Sequence, residues 1–259
     1  MHFRPTHALI TGASAGIGAS FARALAERGS DLVLVARRTE RLATLATELH
    51  TRFGVEVTTV ALDLTSAGAI DILQAQIADA RPFDAVFNCA GFGTRGPFAD
   101  EDVHRIQQEI QLNVSTVVAI SRTFLPPMIA QRRGALVNIA SLFAYQPAPN
   151  MAVYGATKAF VLNFTEALWS EAHGTRVKIL AVSPGPTRTE FFDTIAGFAD
   201  DVPQRVFQTP EQVVGTTLRV LGRRNPPPSI ASGGLANALS RGTRLVTRRA
   251  AIRIAAAIT

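Results

Sequence analysis

Short runs of β-branched and apolar residues alternate along this chain with longer segments of helical period, and no other feature constrains its fold as tightly. Strands joined through helices run parallel and pack under helices on both faces. The alternation therefore implies an α/β, doubly wound sandwich around a central, mostly or wholly parallel, seven-stranded sheet. Strands are expected at residues 7–11, 31–36, 56–62, 85–88, 135–140, 178–183 and 229–231, and helices at 17–28, 39–52, 67–80, 100–131, 153–173 and 210–221. Thr209 serves as N-cap of the last helix and Pro210 as its first residue. Pro126 and Pro127 are expected to kink or divide the helix at 100–131. There is no internal repeat, low-complexity linker or second core. Residues 1–221 are read as one domain, and 222–259 as its last strand followed by a basic helical extension.

Hydrophobic residues make up 47% and charged residues 18% of the 259, the balance of a soluble globular protein with a large core. The single cysteine, Cys89, rules out an internal disulfide and a cysteine-rich metal site, and no metal is expected. It fits a reducing compartment, the cytoplasm by default. The first residues, MHFRPTHALITG, hold no secretory signal, and no segment reaches the roughly 18 uninterrupted apolar residues of a membrane span. The net charge of +6 would suit a nucleic-acid partner if it were spread over the chain. It is not: seven arginines and no Lys, Asp or Glu lie in 222–259, so the remainder is slightly negative and no nucleic acid is expected.

Directly after the first strand comes TGASAGIG, with Gly12, Gly16 and Gly18 in a G-x3-G-x-G pattern and a helix starting at Ile17. A strand, glycine turn and helix in succession place this unit on a Rossmann-type fold. The backbone there can approach a pyrophosphate, and the helix N-terminus faces its charge. Arg37 stands at the end of the second strand, with Arg38 beside it, where a carboxylate would hold the ribose 2′-hydroxyl of NAD. An arginine there accommodates a 2′-phosphate, with Ser14 as a second phosphate ligand, so NADP(H) is preferred and NAD(H) remains allowed. Asp63 with Leu64, and Asn88, Ala90 and Gly91, stand at the carboxyl ends of the third and fourth strands, placed to line adenine and ribose. Asp63 could equally cap the next helix, and Cys89 reads as a buried small hydrophobe.

Tyr154 and Lys158 are four residues apart on the expected fifth helix, and therefore on one face of it. A phenol of ordinary pKa about 10 is a poor base at neutral pH, and a neighbouring ammonium favours its ionised form. Lys158 supplies that cation and reaches ribose hydroxyls, while Tyr154 gives or takes a proton at the substrate oxygen as hydride moves to or from a nicotinamide. Ser141, at the carboxyl end of the fifth strand, would hold that oxygen; the plainer alternative is a loop serine.

Taken together, TGASAGIG, NCAG, Asn113, Ser141, YGATK and PGPT resemble the successive signatures of the short-chain dehydrogenase/reductase family over residues 8–190, in its NADP-preferring acyl- or ketone-reductase-like branch. The resemblance implies that Asn113 completes a tetrad by holding a water that relays protons to Lys158. It also implies that Pro184, Gly185 and Thr187 contact the nicotinamide end and that the protein is a homodimer or homotetramer. Two departures stand out. The paired asparagine usual at the end of the fourth strand is Asn-Cys here. Ala15 replaces the basic residue that many NADP-binding relatives carry in the glycine turn, so 2′-phosphate recognition would rest on Arg37.

Residues 142–153 and 189–209 should border the substrate and bring Phe143, Met151, Phe191, Phe192, Phe198 and Phe207. They suggest an apolar ketone, aldehyde or 3-oxoacyl compound, unless these aromatics only pack a lid. In the tail, Leu239, Leu245, Val246, Ile252 and Ile254 mix with arginines. That pattern suits either a basic amphipathic helix on an anionic membrane surface or packing against the domain or a sister subunit. A catalytically silent dinucleotide-binding protein of the same fold is the rival reading, disfavoured because all four proposed catalytic positions hold competent residues.

Overall fold

A computed structural model describes residues 3–191, 195, 203–242 and 247–256. The strands are β1 (His7–Thr11), β2 (Asp31–Ala36), β3 (Val57–Ala61), β4 (Ala85–Asn88), β5 (Gly134–Ile139), β6 (Val177–Pro184) and β7 (Ser229–Ser232). They form one seven-stranded sheet in the order β3-β2-β1-β4-β5-β6-β7, every pair parallel. The expected strands all form, with ends shifted by one residue at most.

Period-two alternation explains why the central strands read as unbroken apolar runs. Ala8 and Ile10 of β1, Leu32 and Leu34 of β2 and Phe87 of β4 face one layer of helices, while Leu9, Val33, Val35 and Val86 face the other. The first layer contains α1 (Gly16–Ala26), α2 (Thr39–Phe53) and α7 (Pro210–Leu221), the last opened by a capping box from Thr209 and Gln212. The second contains α3 (Ala69–Gln76), α5 (Val117–Ala130) and the end of α6 (Ala152–Glu171). Helix α3 is shorter than expected because Gly68, at φ 69°, turns the chain into it.

The expected helix at 100–131 is broken, but not at its prolines. It consists of α4 (Val103–Ile110), a π-helical turn Gln111–Thr116, and α5, which runs on through Pro126 and Pro127. Both prolines are exposed. The carbonyls one turn back that lose an N–H partner can therefore turn to water, and the helix is not ended. The Thr116 hydroxyl lies 2.9 Å from both the Gln111 and Leu64 carbonyls and ties the π turn to the end of β3.

Part of the tail belongs to the sheet. β7 pairs with β6, and α8 (Gly234–Gly242) buries Ala236 against Leu142, Phe143, Met151 and Tyr154. A separate helix, α9 (Arg248–Ala256), follows, with Ile252 exposed; Leu245 and Val246 lie outside the described residues. Among the described residues no helix is long and apolar enough to cross a membrane.

Candidate functional site

The strand order reverses between β1 and β4, and a cleft opens where those strands end, as a doubly wound sheet requires. Thr11 closes its floor: its Oγ1 accepts from the backbone N–H groups of Cys89 and Ala90, both at 3.1 Å. Gly12, at φ 65°, lies so close that a Cβ there would come within 2.8 Å of the Ala90 backbone, and a Cβ on Gly18 would collide with the Gly12 carbonyl. Helix α1 starts at Gly16 without a side-chain cap, which leaves its first N–H groups directed at the cleft. These features fit a dinucleotide pyrophosphate.

Gly12, Ser14, Gly16, Ile17 and Gly18 line one end of the cleft, Arg37, Asp63 and Leu64 one wall, and Ala90 and Gly91 the floor. Ser141, Tyr154, Lys158, Pro184, Gly185 and Thr187 line the other end. Asn88 is the exception. It is buried and turned inward, its Nδ2 donating to Asn138 Oδ1 at 2.8 Å, and Asn138 in turn donates to Thr165. In a parallel strand flanked on both sides, alternate residues face opposite layers, and Asn88 shares the parity of Val86, facing the layer that holds α5 and α6.

Both arginines line the cleft. Arg37 lies 3.8 Å from Asp63, whereas Arg38 donates to Ser14 Oγ from Nε (3.1 Å) and Nη2 (3.0 Å). Arg38 also pairs with Glu190 at 2.6 Å, and Arg41 pairs with the other oxygen of that carboxylate. Asp63 lines the cleft but does not cap the next helix, which opens at Gly68; it accepts from Thr65 N (2.9 Å) and Thr65 Oγ1 (2.7 Å) in the turn after β3. Burial works to raise the Asp63 pKa, but the Thr65 bonds and the Arg37 charge prevail and hold it below the usual carboxylate value.

At the other end Tyr154 and Lys158 are both buried on α6. Lys158 Nζ donates to the Ile139 carbonyl at 3.0 Å and sits 5.7 Å from the Tyr154 ring centroid. Burial pushes the Tyr154 phenol above its ordinary value, only partly offset by a hydrogen bond with Ser141. Burial pushes Lys158 down to about 8. Desolvation, and not the expected lowering by the ammonium, sets the direction of the phenol's shift, and at neutral pH the tyrosine is protonated and the lysine charged. Cys89 is likewise pushed up by burial, and its thiol stays neutral.

Asn113 stands behind the floor on the π turn. Its Nδ2 donates to Phe92 O (2.8 Å) and Thr157 Oγ1 (3.1 Å), and its Oδ1 accepts from Phe92 N (3.3 Å). A Cβ placed on Gly91 would lie 2.9 Å from Asn113 Oδ1 and 3.2 Å from Lys158 Nζ, so the two side chains converge on one point. Phe143 and Phe191 line the cleft beside Tyr154, their ring centroids 6.2 and 5.3 Å from its own. Met151 and Phe207 pack in the apolar cluster behind them, and Phe192 and Phe198 lie outside the described residues. Sequence reasoning missed Arg38 as the Ser14 partner, Phe92 as a lining residue, and Glu109, a buried carboxyl one helical turn before Asn113. That i, i+4 spacing to Asn113 was the available signal for Glu109.

The family model for short chain dehydrogenases matches residues 6–198. Sulfoacetaldehyde reductase 2 of Chromohalobacter salexigens is 35% identical over 220 residues, covering 78% of this chain and 86% of that protein. The NADP-dependent 3-hydroxy acid dehydrogenase YdfG of Salmonella typhi is 34% identical over 195 residues, covering 74% of this chain and 77% of that one. A solved short-chain dehydrogenase from Sphingobium yanoikuyae, in complex with NADPH, matches at a TM-score of 0.80 and 33% identity, covering 87% of each chain. With the family match spanning most of its length, the chain belongs to the short-chain dehydrogenase family and is an NAD(P)-dependent oxidoreductase.

Proposed function

We propose that the protein is an NADP(H)-dependent reductase that interconverts a carbonyl and a secondary alcohol on an apolar ketone, aldehyde or 3-oxoacyl substrate, with Tyr154 passing the proton. The observation that carries this reading is that Tyr154, Lys158 and Ser141 line one end of a cleft whose other end is the glycine turn. When bound, the cofactor supplies or accepts the hydride at its nicotinamide.

The chain's own residues do the rest. Ser141 holds the substrate oxygen, and Tyr154, kept protonated by burial, donates to it in the reducing direction. The Lys158 ammonium stabilises the phenolate left behind. Preference for a 2′-phosphate is supported by the Ser14 and Arg38 pair at the glycine-turn end and by the NADP or NADPH named for two of the relatives. An apolar substrate is supported by Phe92, Leu142, Phe143 and Phe191 on the walls next to Tyr154. The test is NADPH oxidation with 2-decanone against hydroxyacetone. The apolar ketone is expected to show a kcat/KM higher by about tenfold or more; the reverse order would remove the apolar substrate.

A further inference from the structure

Glu109 has no part in that scheme, yet it is 0% exposed, and one of its oxygens, Oε1, is buried without a hydrogen-bond partner among the described residues. Its other oxygen accepts from Thr94 N at 3.2 Å and lies 2.8 Å from Thr94 Oγ1. The same Thr94 hydroxyl lies 2.6 Å from Oε2 of Glu101, which is partly exposed. A hydroxyl has one proton and can donate to only one of two carboxylates. The second short contact requires that one carboxyl itself carry a proton. The trio is therefore a carboxyl, hydroxyl, carboxyl chain that runs from the interior to partly exposed Glu101 and holds one proton more than two carboxylates would.

Its inner end abuts the reactive end of the cleft. Thr94 directly follows Gly93, where a Cβ would come within 2.8 Å of the Tyr154 ring, and Glu109 is the buried residue of α4 just before the π turn that carries Asn113. The charged and titratable groups whose fields reach Glu109 are Glu101 from the loop, and Lys158 and Tyr154 from α6. Burial, with the Glu101 charge adding to it, pushes the Glu109 carboxyl up to about 7, against the Thr94 hydrogen bonds and the Lys158 charge.

We propose that Glu101, Thr94 and Glu109 form a proton path joining the surface to the Tyr154 and Lys158 end of the cleft, with Glu109 as the proton-holding group at its inner end. The proposal rests on the reading of Tyr154 as the proton donor. In the reducing direction the new alcohol takes one proton from Tyr154. Glu109 gives up its proton toward the phenolate, through Lys158, and is left as a carboxylate. Thr94 passes its hydroxyl proton to Glu109 and accepts one from Glu101, which recovers it from water. One proton enters for each carbonyl reduced, and the oxidising direction reverses every transfer.

The full-length protein with NADPH and 2-decanone provides the test, in wild type, Thr94→Val, Thr94→Ser, Glu109→Gln and Tyr154→Phe. Thr94→Val is expected to lower kcat by about tenfold and to enlarge the solvent deuterium isotope effect, with Thr94→Ser restoring both. Glu109→Gln is expected to remove an ionisation near pH 7 from the kcat profile. An inactive Tyr154→Phe beside a Thr94→Val that matches wild type in rate, pH profile and isotope effect overturns the path and leaves the donor assignment standing. A fully active Tyr154→Phe overturns both. A readout without turnover is the infrared band of a protonated carboxyl in the cofactor-free protein, expected to titrate near pH 7 and to vanish in Glu109→Gln. Its absence in wild type overturns the proposal whatever the kinetics show.

Discussion

Tyr154 and Lys158 sit one turn apart on α6, and burial drives their protonation equilibria apart, the phenol up and the ammonium down to about 8. Spacing on a helix was legible in the sequence; the extent of burial was not, because it depends on Phe143, Phe191 and the loop at Gly93, all distant in the chain. The same holds for the arginines. Which of two adjacent side chains just past β2 turns toward Ser14 is decided where the chain passes from strand to α2, and Arg38, the residue before α2, takes that direction. Arg38→Ala and Ser14→Ala are each expected to raise the NADPH dissociation constant about tenfold, the cost of one charge-assisted hydrogen bond, and to change that for NADH less than twofold. Fluorescence titration with both cofactors measures this. Glu109 adds a prediction on stability. Its carboxyl is raised from 4.5 to about 7, so the folded state binds more protons than the unfolded chain between those values. Its contribution is therefore fully present below pH 4.5 and is lost as pH rises through 7. Glu109→Gln, which cannot ionise, is expected to gain on wild type by ~1 kcal/mol or more between pH 5 and pH 8, measured by denaturant melts at both.

The elements follow from pattern where burial is two-sided and from local chemistry elsewhere. β1 shows five buried residues in a row and was visible at its true boundaries, since a central parallel strand has no solvent face to obscure it. The π turn Gln111–Thr116 had no such signature. An extra residue in a helix leaves composition and period almost unchanged, and only the Thr116 contacts to Gln111 and Leu64 mark it. Prolines gave the opposite impression, suggesting a break where α5 continues with both rings at the solvent face. If Pro126 costs the helix a hydrogen bond that water only partly replaces, Pro126→Ala should stabilise the protein by ~1 kcal/mol. That figure takes the ~3 kcal/mol propensity difference and subtracts the lost solvation and the unfolded-state entropy that proline removes. A rise in melting temperature by calorimetry is the expected result.

On the scale of the whole molecule, the tail separates what charge suggested from what packing does. Its seven arginines set 222–259 apart by charge, yet the strand expected there forms as β7 of the sheet and α8 covers the cluster behind Tyr154. The link to the cleft is direct: Gly185 N donates to Ser232 O at 2.8 Å, and Gln208 Nε2 donates to the same carbonyl at 2.9 Å. Truncation after Gly222 is therefore expected to abolish cooperative unfolding, and truncation after Gly242 to preserve it, as circular dichroism melts of the two would show. The account as a whole rests on one protonated phenol beside a bound dinucleotide. The most direct measurement is NADPH and NADH consumption across a panel of apolar ketones, with Tyr154→Phe alongside wild type. Faster use of NADPH, and a loss in the variant of about 10²-fold or more in kcat with NADPH binding retained, is the predicted result. Full activity in Tyr154→Phe would contradict it.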